Sequence, residues 1–114
     1  LFLKFVYFFF LFKLGSSARE FNELDLSPNL FTELPIIQIC NFSNLFLLDL
    51  SDNKITNMTN RFSQLSCLRF LKRLDLSFNN ISSGLISSDF DDFFGYDLVY
   101  LNLNNNQIPL VETQ

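Results

Sequence analysis

The side chains in this sequence that could do chemistry point to recognition rather than reaction. Asp89, Asp91, Asp92 and Asp97 stand around Phe90, Phe93 and Phe94. Clustered carboxylates are the oxygen ligands that calcium takes, but the D-x-D-x-D-G spacing of a calcium loop is missing. A solvated acidic face beside core phenylalanines accounts for the group. The chain has no histidine, which removes the commonest general base and the commonest metal ligand. No glycine-rich phosphate loop, Cys-x-x-Cys pair or nucleophile elbow occurs. No enzyme, metal site or cofactor is therefore expected. What remains is Arg73 with two aromatic residues, Phe78 and Tyr100, residue types that anchor protein interfaces. Their separation along the chain means that only a stacked fold would make them neighbours.

A repeated phrase supplies that stacking. Leu48-Asp49-Leu50-Ser51-Asp52-Asn53 and Leu74-Asp75-Leu76-Ser77-Phe78-Asn79 are near copies, with looser ones at 24–29 and 101–106. An apolar residue stands three places before each first leucine: Phe21, Leu45, Leu71 and Leu98. Another stands two places after each asparagine: Phe31, Ile55, Ile81 and Ile108. The result is L-x-x-L-x-L-x-x-N-x-L four times, with the asparagines 24, 26 and 27 residues apart. A fixed-phase repeat of this kind marks a solenoid. Leucines alternating with aspartate predict a strand with one buried and one wet face. The outer apolar positions need the chain to bend, and stacked coils, with strands about 4.8 Å apart, close the interior that one coil leaves open.

This pattern resembles the leucine-rich repeat family over about residues 21–111. The Leu34-Pro35 step followed by Ile39 and Phe42 is similar to the variety typical of animal extracellular proteins. The resemblance implies an α/β solenoid, a curved coil with short parallel strands on the concave face and loops or short helices on the convex face. It also implies protein binding. The expected repeat domain covers 19–114, with repeats starting near 21, 45, 71 and 98. No C-terminal capping repeat follows, and the cysteine clusters usual on either side of extracellular repeats are missing; both features fit a piece of a larger protein.

Within that frame, Asn29, Asn53, Asn79 and Asn106 are expected to form a ladder, their amides serving backbone groups that the turns leave unpaired. Phe62, Leu65 and Leu68, at three-residue spacing, predict a short helix or 3₁₀ stretch on the convex side. The polar stretch 82–88 with Gly84 predicts a longer loop. Side chains flanking the strand leucines form outward columns: Glu23, Leu47, Arg73 and Tyr100; Asp25, Asp49, Asp75 and Asn102; Ser27, Ser51, Ser77 and Asn104; Pro28, Asp52, Phe78 and Asn105. Arg73, Phe78, Tyr100, Asp49 and Asp75 are the candidate partner contacts on this face. Cys40 and Cys67 fall on the convex side of adjacent coils, either as a disulfide or as two buried thiols acting as small apolar residues. Asn41, Asn57 and Asn80 each open an N-x-S/T sequon, and none falls on an expected strand, so glycans there would leave the concave sheet open.

Residues 1–18 read as a secretory signal peptide: Lys4, an apolar run over 5–12, then Ser16 and Ala18 as small residues, with cleavage after Ala18. The run is too short to span a bilayer as a helix, which takes about 20 residues. The other reading is an apolar cap over the first coil. A net charge of −4 argues against nucleic acid and against docking to an anionic membrane; membrane attachment is expected only through a downstream segment. The expectation is thus a protein-binding module of a secreted or cell-surface ectodomain, of Toll-like receptor or adhesion kind, with a protein ligand or co-receptor. The alternatives are a cytoplasmic scaffold or regulator and a structural matrix spacer.

Overall fold

Each L-x-L phrase becomes a three-residue strand with its middle leucine in the interior. The computed structural model describes residues 2–4, 15–83 and 98–108. Five strands lie parallel in sequence order: β1 (Phe2–Lys4), β2 (Glu23–Asp25), β3 (Leu47–Asp49), β4 (Arg73–Asp75) and β5 (Tyr100–Asn102). The register is unshifted from coil to coil, so Leu24, Leu48, Leu74 and Leu101 stack in line. A one-residue slip would carry every one of those leucines to the wet face, and so the hydrophobic pattern sets the register.

The chain leaves each strand through a second leucine (Leu26, Leu50, Leu76), bends, and turns inward again at Ile55 and Ile81; all five are fully buried. On the convex side α1 (Ile36–Ile39) follows Pro35, and α2 (Arg61–Gln64) runs into a 3₁₀ turn at Leu65–Cys67. Phe62, Leu65 and Leu68 face inward from this stretch, as their three-residue spacing predicts. Phe42 and Phe62 are the largest side chains buried completely among the described residues, with Phe21 tilted against Phe42 at a ring separation of 6.2 Å. Each fully buried leucine or phenylalanine here contributes about 1.5–3 kcal/mol.

Sequence reasoning finds four coils, and the structure adds a strand before them. Phe2, Leu3 and Lys4 pair with Glu23, Leu24 and Asp25, and a 3₁₀ segment at Gly15–Glu20 brings Ala18 into the core at 1 % exposure. The strand is hard to see in the sequence because its Leu3-x-Phe5 phrase has no asparagine at the ladder position. Gly84 and the rest of its loop to Ser88, the acidic stretch with Asp89, Asp91, Asp92 and Asp97, its companions Phe90, Phe93 and Phe94, and the whole apolar run 5–12 lie outside the described residues.

Candidate binding face

Stacking creates two internal hydrogen-bond systems before it creates a surface. Asn53 Nδ2 donates to the carbonyls of Leu50 and Ser51 in its own coil at 3.1 and 3.0 Å, and to Leu26 of the preceding coil at 3.2 Å. Its Oδ1 accepts from the Phe31 N–H at 3.1 Å. Asn79 repeats this with Leu76, Ser77 and Leu50, and with the Ile55 N–H at 3.0 Å. Asn106 does so with Leu103, Asn104 and Leu76, and with the Ile81 N–H at 2.9 Å. Asn29, in the first of these coils, donates to Leu26 at 2.7 Å. These four residues are the ladder. Only an amide both accepts from an N–H and donates twice from one planar group, which is why leucine or aspartate would not serve there.

The second system uses the aspartate column. One oxygen of Asp49 accepts from the Ser51 N–H at 2.9 Å and from its hydroxyl at 2.6 Å. Asp25 and Asp75 do the same for Ser27 and Ser77, and Asn102 for the Asn104 N–H. Asp49 and Asp75 therefore close the turn after each strand. As partner contacts they offer only their remaining oxygen and a half-buried position.

Arg73 and Tyr100 are brought together, while Phe78 stands on the next turn. β4 and β5 place Arg73 beside Tyr100 in register, and the guanidinium lies 4.5 Å from the ring centroid, a cation–π contact worth about 0.5–1 kcal/mol where exposed. Tyr100 is 41 % exposed and Phe78 55 %. Phe78 has a φ of 55°, as Asp52 (54°) and Asn105 (58°) do at the same position of their coils. Aspartate and asparagine tolerate this left-handed region, whereas a bulky ring does not. In the first coil Pro28 holds the position and the Ser27–Pro28 peptide is cis. Phe78→Asn is accordingly expected to stabilise the chain by about 1 kcal/mol, read as a higher urea midpoint. A lower midpoint would show that the ring is kept for packing.

The other sequence candidates lie away from this face. Asn41, Asn57 and Asn80 are exposed and outside the strands; Asn57 Oδ1 accepts from the Thr59 N–H and hydroxyl at 2.8 and 2.6 Å. Cys40, capping α1, and Cys67, ending the 3₁₀ turn, are joined by a disulfide between adjacent coils. An open groove of about 830 Å³ runs along the first coil past Leu30, Phe31, Ile36 and Ile37, with Arg61 and Glu33 paired at 3.5 Å beside it. Sequence reasoning missed this groove because its lining sits between repeat positions, where no spacing rule applies. Among the described residues no group of three or more acidic, cysteine or histidine side chains is placed to hold a metal, and no helix is long and apolar enough to cross a membrane.

Comparison with known proteins agrees with this geometry. The family model described as Leucine Rich Repeat matches residues 70–93. No curated protein matches the chain. Among solved structures, a leucine-rich-repeat protein of Leptospira interrogans is similar at 27 % identity and a TM-score of 0.67, over 96 % of this chain and 25 % of its own. Internalin C2 of Listeria monocytogenes shares 24 % identity at a TM-score of 0.61, over 85 % of this chain and 38 % of its own. The leucine-rich-repeat ectodomain of the receptor kinase SOBIR1 of Arabidopsis thaliana shares 24 % identity at a TM-score of 0.57, over 95 % of this chain and 55 % of its own. The chain thus spans between a quarter and just over half of these proteins. With the repeat phrase, the asparagine ladder, the unshifted parallel sheet and these matches in agreement, the chain has the leucine-rich-repeat fold, and its residues 70–93 match that family's model.

Proposed function

We propose that the concave face binds a protein partner, with Arg73, Phe78 and Tyr100 as the anchor and the free oxygens of Asp49 and Asp75 beside it. The observation that carries this reading is Phe78. A bulky ring held at a positive φ and left more than half exposed costs backbone strain that its limited burial does little to offset, the pattern of a residue kept for contact. We place the module in a secreted or cell-surface ectodomain of receptor or adhesion kind. Two observations support that setting: a disulfide, which persists in oxidising compartments, and three exposed sequons that leave the sheet uncovered. In this reading residues 1–18 are a leader removed before folding.

A specific observation favours a second reading. β1 pairs along its whole length with β2 and Ala18 is packed in the core, as a retained N-terminal cap of a cytoplasmic scaffold would be. Intact-mass analysis of the chain expressed in a secreting eukaryotic cell, before and after glycan removal, separates the two. The ectodomain reading expects an N-terminus at Arg19 and glycan mass on Asn41, Asn57 or Asn80; an unprocessed, unglycosylated chain retained in the cell establishes the scaffold. For the binding face itself, Arg73→Glu and Tyr100→Ala are expected to abolish surface cross-linking of a partner while the chain stays folded. Retained cross-linking would move the contact elsewhere.

A further inference from the structure

The positive charges of this chain are unevenly spread. Three of its eight lysines and arginines, Arg69, Lys72 and Arg73, fall within one short stretch. All three are exposed, and among the described residues none is paired with a carboxylate; the ion pair found there is Arg61 with Glu33. Arg73 turns onto Tyr100, on the concave face. Arg69 and Lys72 precede it, on the flank where the chain enters the strands.

That flank carries apolar side chains that the core does not use. The N–H groups of Lys72 and Arg73 both donate to the Phe46 carbonyl, and those of Val99 and Tyr100 both donate to the Lys72 carbonyl. Phe46, Lys72 and Val99 therefore form one column across three coils, at steps of about 4.8 Å. Phe46 is 38 % exposed, Phe70 55 % and Val99 79 %, whereas the core positions beside them, Leu45 and Leu71, are buried. The flank thus carries exposed apolar side chains with cations that no carboxylate among the described residues pairs, on a chain whose net charge is −4.

We infer that this flank is a second contact surface and that it takes an acidic, aromatic-bearing peptide segment of a protein partner. Carboxylates of the segment meet Arg69 and Lys72, and its rings lie against Phe46, Phe70 and Val99. The argument is charge complementarity: cations without a carboxylate partner among the described residues attract an acidic segment and orient it, and the exposed aromatic surface beside them gains by desolvation. The aspartate column over Asp25, Asp49 and Asp75 repels such a segment from the concave face and holds it to the flank. This inference rests on the protein-binding reading above and names a partner chemistry for a neighbouring surface.

The probe is a fluorescent peptide of alternating aspartate and phenylalanine, titrated against the full chain by polarisation. Binding is expected, weakening with added salt, and lost when lysine replaces the aspartates or alanine the phenylalanines. The double variant Arg69→Glu with Lys72→Glu is expected to weaken it at least tenfold, and Phe70→Ser likewise; circular dichroism verifies that both remain folded. Tyr100→Ala, on the concave face, is expected to leave it unchanged. Absence of binding at about 1 mM, indifference to the charge reversal, or equal binding of a single-stranded oligonucleotide would overturn the inference. Loss of binding on Tyr100→Ala with none on the charge reversal would overturn it too, while leaving the concave-face reading standing.

Discussion

Asn79→Ala is expected to remove about 3–5 kcal/mol of stability, a large share of the roughly 5–15 kcal/mol that a domain has. Asn79 is buried at 5 % exposure and serves two coils at once. Its loss leaves the carbonyls of Leu50, Leu76 and Ser77 and the N–H of Ile55 without their amide partner. Each unsatisfied buried group costs about 1–3 kcal/mol. Asn79→Asp is no rescue, because a carboxylate has no N–H to donate. Asn29→Ala is the control: Asn29 is half-buried, and the same change there is expected to cost about 1 kcal/mol. Urea unfolding followed by circular dichroism measures both. Equal losses at the two positions would mean that the ladder does not concentrate its stabilisation between coils.

Removing the Cys40–Cys67 bridge is expected to cost about 3–4 kcal/mol, from the 27-residue separation that it closes. The two sides of the solenoid are held differently. Strands tie adjacent coils on the concave side, whereas α1 and the 3₁₀ turn at Leu65–Cys67 meet across the disulfide and a sulfur contact of 3.8 Å from Cys40 to the Gln64 carbonyl. Cys40→Ala with Cys67→Ala, and the native chain under dithiothreitol, are both expected to lower the urea midpoint by the same amount. Hydrogen exchange is expected to rise first at Ile36–Ile39 and Leu65–Cys67, ahead of Leu47–Asp49 and Arg73–Asp75. An unchanged midpoint on reduction would show that the convex side is held by apolar packing alone.

Much of this architecture is legible in the residues because the repeat makes each statement several times. Leu48 and Leu74 announce strands, Asn53 and Asn79 announce the turn that follows, and the spacing of Phe62, Leu65 and Leu68 announces the convex helical stretch; the structure has each of them. What escaped reading lies where one coil differs from the rest. β1 lacks a ladder asparagine. Asp49 and Asp75 look like free surface carboxylates until the serine two residues on is seen to occupy one oxygen. The column of Phe46, Lys72 and Val99 mixes residue types, so although each follows its repeat's opening leucine by one place, no recurring residue marks it as a surface feature.

The sequence by itself determined the solenoid, its parallel sheet, its register and its ladder, because those depend on residue type and spacing, which period and burial translate directly into position. Tertiary structure alone decided that Arg73 lies over Tyr100, that Phe78 occupies a left-handed turn, and that Arg69 and Lys72 face solvent. Those properties depend on which side chains from different coils meet, or fail to meet, in space. A repeat specifies the stacking of its coils; the few side chains that differ between them acquire neighbours only once the stack exists.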